Sequence, residues 1–75
     1  MDNVFVLTIQ EPDCQVCTKV FSTQKSAIAY AVRDSEEHFA DDDLLEKISE
    51  DLVIHGYAMG VDDVFYQIDE CQIIH

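Results

Sequence analysis

The chain has 75 residues, 48% of them hydrophobic, with two glycines and one proline, a composition that suits one small folded domain over 1–75 rather than a disordered segment. Sixteen aspartates and glutamates against four lysines and arginines leave a formal charge of −12. That balance excludes gripping a nucleic-acid backbone or an anionic membrane surface, because both need clustered Lys and Arg.

Other bounds follow from pattern. No apolar run approaches the ~20 residues that span a bilayer, and the N-terminus lacks the basic, apolar and small-residue order of a signal peptide. A cytoplasmic protein is expected. Three cysteines, an odd number, fit reduced thiols better than a disulfide framework.

In chain order, VFVLTIQ (4–10) is rich in β-branched and aromatic residues and reads as a strand, with Phe5, Leu7 and Ile9 on one face. Pro12 and Asp13 form a turn, and a second strand follows over 15–21, making an antiparallel hairpin. Val16, Thr18 and Val20 alternate there with Cys17, Lys19 and Phe21. Ser22 or Thr23 caps a helix that starts at Gln24, carries an apolar stripe of Ala27, Ile28, Ala31 and Val32, and fades into Ser35, Glu36 and Glu37. Asp41, Asp42 and Asp43 announce a second helix, suited to its positive end, with Leu45, Ile48, Leu52 and His55 along one face and Gly56 as its stop. YAMGVDD reads as a loop, and VFYQIDECQII (64–74) as the last strand, pairing beside the first. The expected fold is α+β: a small β-β-α-α-β domain, with a three-stranded, mainly antiparallel sheet and two helices packed on one face.

Cys14 and Cys17, followed by Phe21 and Ala27, resemble the first half of a two-cysteine, two-histidine zinc finger. That family then needs two histidines on the helix, and Tyr30 and Asp34 stand in those places. A closed four-ligand site is lost, and acids replace the basic residues a DNA reader needs, so the finger is rejected. A second zinc set joins Cys14 and Cys17 to Cys71 and His75, if the last strand brings its end to the hairpin. Against it stands the simpler reading of Cys17 and Cys71 as buried small hydrophobes. No cofactor is expected.

His38, in an acidic stretch, is favoured in its protonated form; His55 suits a helix C-terminus; His75 ends the sequence. Ser26 and Ser49 have no histidine in register, and two glycines build no phosphate loop. DSEEHFADDD and GVDDVFYQIDE miss the alternating ligands of a calcium loop. The expectation is a protein that is not an enzyme.

Nine of the acids fall between Asp34 and Asp51. Asp42, Glu46 and Glu50 are spaced by four, a line on one helix face with charges about 6 Å apart, comparable to phosphates along a strand. With Glu37, Asp41 and Asp43 beside them, these residues are the expected partner-binding site, occupying a groove built for a phosphate backbone. KVFSTQKSAIAYA and VFYQIDECQI resemble the strand-turn-helix and closing strand of short acidic proteins of phages and mobile elements. That resemblance implies inhibition of a host or defence protein, of CRISPR or restriction type, and carries no catalytic residues. The expected partner is therefore a basic nucleic-acid-binding protein, with no direct nucleic-acid or membrane contact. The alternative is an interaction module using an apolar patch of Tyr57, Met59, Val61 and Tyr66, or a homodimer through an uncovered sheet face or edge.

Overall fold

The computed structural model describes residues 3–13 and 15–73. Its elements are β1 (Asn3–Gln10), β2 (Val16–Phe21), α1 (Gln24–Glu37), α2 (Asp42–His55), β3 (Tyr57–Met59), a 3-10 turn (Val61–Asp63) and β4 (Phe65–Gln72). The α+β class and the two helices are as expected, but the sheet has four strands in the order β2-β1-β4-β3, every pair antiparallel. The extra strand is YAM, inside the stretch that reads as a loop. Three residues carry too little local signal, and only the partner strand β4, pairing Ala58 with Tyr66, holds them extended.

Alternation divides the sheet into two faces. Phe5, Leu7 and Ile9 on β1, Tyr66 and Ile68 on β4 and Ala58 on β3 point toward the helices. They close the core with Ala27 and Ala31 from α1 and Ile48 and Leu52 from α2. The small alanines let α1 lie close to the sheet, and burying such apolar surface is the main source of stability. On the other face stand Val4, Val6 and Thr8 of β1, Val16, Thr18 and Val20 of β2, Tyr57 and Met59 of β3, and Phe65, Gln67, Asp69 and Cys71 of β4. No described helix covers that face.

The helix ends follow the capping residues. Thr23 accepts at Oγ1 from the Ser26 amide at 3.1 Å, and Asp41 accepts at Oδ1 from the Leu44 amide at 2.8 Å. Gly56 ends α2 in the left-handed region at φ 79°, donating its amide to the Leu52 carbonyl at 3.1 Å. Its own carbonyl accepts from the Ile68 amide at 2.8 Å, which ties the end of α2 to β4.

Three expectations need correction. Ser35 does not belong to a fading polar end; it is a buried residue within α1. Tyr66 is fully buried, so the patch of Tyr57, Met59, Val61 and Tyr66 does not exist as one surface. Cys17 and Cys71 are exposed rather than buried. Cys17 does lie on the helix side, opposite Ile9, but β2 is an edge strand whose residues are exposed apart from half-buried Phe21, whose ring meets Tyr30 at 5.6 Å.

Candidate functional site

The sequence of α2 places Asp42, Glu46 and Glu50 on its solvent side, because the core takes Ile48 and Leu52 from the opposite one. All three are exposed, as are Asp41 and Asp43 at the helix N-terminus and Glu37 at the end of α1. Among the described residues, none of these six carboxylates forms an ion pair. Asp41 alone is partly committed, through its capping bond. Asp34 and Asp51, the ends of the acidic stretch, are half-buried. Asp34 is engaged inside the fold. The acidic surface therefore centres on α2 and its approach.

One residue of this surface is not among those expected from the sequence. Phe39, in the connection between the helices, is 95% exposed and sits at φ 67°. Its amide donates to the Glu36 carbonyl at 3.0 Å as α1 unwinds. A bulky residue in the left-handed region costs about 1–2 kcal/mol, and exposure of its ring returns nothing to the core. The available signal was its context: in EEHFADDD it is the one aromatic, and it matches the apolar stripe of neither helix.

Beneath this surface lies a buried polar tie. The Tyr66 hydroxyl donates to Asp34 Oδ2 at 2.7 Å and accepts from Ser35 Oγ at 2.9 Å. Burial, before any other influence, pushes the Tyr66 phenol well above its ordinary value. With its ring out of solvent and its hydroxyl saturated, Tyr66 anchors the C-terminal part of α1 to β4. His38 caps α1, its Nδ1 2.7 Å from the Asp34 carbonyl and 3.7 Å from Asp34 Oδ2. Bonding to that carbonyl raises the imidazole above its ordinary value; burial opposes this, and the charges of Asp34, Glu11 and Glu37 reinforce it.

For metal binding, Cys17 and Cys71 stand on opposite faces of the sheet, paired with Ile9 and Val4 on the two sides of β1. Those rows are separated by roughly 17 Å along the strand. The proposed four-ligand set is thus not gathered by its described members; Cys14 and His75 lie outside the described residues. Among the described residues no three His, Cys, Asp or Glu side chains group as metal ligands. An open groove of about 380 Å³ is lined by Phe21, Ser26, Ala29, Tyr30 and Arg33. Ser26 Oγ accepts there from Thr23 Oγ1 at 2.8 Å and has no histidine among those lining residues to activate it.

The chain matches no protein-family model, no curated protein and no solved structure.

Proposed function

We propose that the protein is a small, non-enzymatic binding protein that sets its acidic α2 face into the basic groove of a nucleic-acid-binding protein and blocks it. The observation that carries this reading is the line of exposed, unpaired carboxylates at Asp42, Glu46 and Glu50. Held on one rigid helix about 6 Å apart, they offer a basic groove the periodic negative charge it meets along a phosphate backbone. Glu37, Asp41 and Asp43 extend the surface toward the connection between the helices. Phe39 adds an aromatic anchor there, the residue type that carries binding energy at interface centres. A host or defence enzyme that holds DNA or RNA, of CRISPR or restriction type, is the expected target, in keeping with the phage-like sequence pattern.

The test replaces Asp42, Glu46 and Glu50 together by lysine and compares retention of partners from bacterial lysate. The three side chains are exposed, so the circular dichroism spectrum should not change, while retention of the nucleic-acid-binding partner is lost. Phe39→Ala is expected to weaken that retention by tenfold or more, corresponding to at least about 1.4 kcal/mol. Undiminished binding by the triple variant contradicts the proposal.

A further inference from the structure

The face of the sheet turned away from the helices differs in character from the rest of the molecule. Among the described residues of a chain with sixteen acids, Asp69 is the one carboxylate whose strand position directs it there, while Glu11 and Asp63 border the face beside Phe65. Val16, Val20, Tyr57 and Met59 stand exposed on it, Val20 at 65% and Met59 at 53%. Phe65 is half-buried there, stacked on Tyr57 at 6.1 Å. An anionic lipid surface would repel a chain of this charge. A second copy is repelled least at this face, because it carries little of the charge and the acids of α2 lie on the far side of the helical layer.

We infer that two copies of the chain pack through this face as a two-fold dimer, sheet against sheet. The strand order makes the face complementary to itself. Rotation about an axis along the strands lays the β2-β1 side of one copy over the β4-β3 side of the other. The registers then set Val16 over Met59, with Phe65 beside it, and Thr18 over Tyr57, while Val20 lies at the margin beyond Tyr57; each contact occurs twice, as an isologous interface requires. From the strand lengths and the ~4.8 Å spacing, the face covers roughly 400 Å² in plan. A pair then buries on the order of 1,000 Å² in total once side-chain relief is included, the low end for specific association. The dimer is accordingly weak and concentration-dependent, and it leaves both α2 faces outward. This inference does not rest on the acidic-face function.

Sedimentation equilibrium of the full chain, from low micromolar to near-millimolar concentration, tests it. The expected result is a reversible dimer that tightens with added salt, because screening relieves repulsion between two copies each of charge −12. Acidic-face binding to a basic partner has the opposite salt dependence, so the two claims fail separately. Val16→Glu and Met59→Glu, which the two-fold sets against each other, should each weaken the dimer at least tenfold with an unchanged circular dichroism spectrum. Asp69→Asn should tighten it by removing the one buried charge. A chain that stays monomeric throughout, or a dimer that survives either glutamate substitution, overturns the inference.

Discussion

Gly60 and Tyr66 show how closely one position can be specified. A Cβ on Gly60 would lie 2.6 Å from Tyr66 Cε2. That ring has no room to yield, being fully buried with its hydroxyl held by Asp34 and Ser35. Gly60→Ala is therefore expected to cost about 1–3 kcal/mol, typical of overpacking, seen as a lower urea midpoint at unchanged slope. His38 makes a different prediction. Its native pKa is raised above the ordinary 6.5, so its protonated form contributes stability that is complete below about that pH. The contribution is lost as pH rises through the raised native value. Thermal unfolding of the protein and of His38→Gln should differ more at pH 5.5 than at pH 8.5; an equal difference at both would refute the linkage. Alternation along β4 puts Tyr66 in phase with Ile68, on the buried side, which the expected patch of Tyr57, Met59, Val61 and Tyr66 left out of account. The φ 67° that exposes Phe39 was not legible, because no residue nearby marks a left-handed turn as glycine would.

At the level of elements, what the sequence made legible was what short-range chemistry decides. The two helices, their caps at Thr23 and Asp41 and the stop at Gly56 follow from side chains that meet their own orphan backbone groups. Asp41→Ala should accordingly cost about 0.5–2 kcal/mol, measured by urea unfolding, since the Leu44 amide loses its acceptor. The hairpin and the placement of β4 beside β1 follow from alternation and loop length. The line of carboxylates on α2 was equally legible, because a spacing of four fixes one helix face. What escaped was decided by tertiary context. β3 exists only through its pairing with β4, and Cys17 is exposed because its strand is an edge, although it alternates with Val16 and Val20 as the pattern implies. Ser35 looked like a frayed end because nothing local announces the Tyr66 hydroxyl that holds it in the core.

Taken whole, the molecule separates its charge from its apolar surface. Among the described residues, the helical layer presents unpaired carboxylates and Phe39, while the opposite face of the sheet presents valines, Tyr57 and Met59 around Asp69. So large a charge destabilises the compact state by self-repulsion, and its persistence on a chain with only four Lys and Arg is the reason to assign it a task. Attraction of the α2 face to a basic groove is the proposed task, and such attraction between exposed charges is screened by salt. The most direct measurement is capture from bacterial lysate on the tagged protein at about 0.05 M and about 0.5 M salt, with the retained proteins identified. A nucleic-acid-binding protein held at low salt, released at high salt and absent from the Asp42, Glu46 and Glu50 lysine variant is the predicted result. A partner held equally at both salt concentrations and by that variant would contradict it.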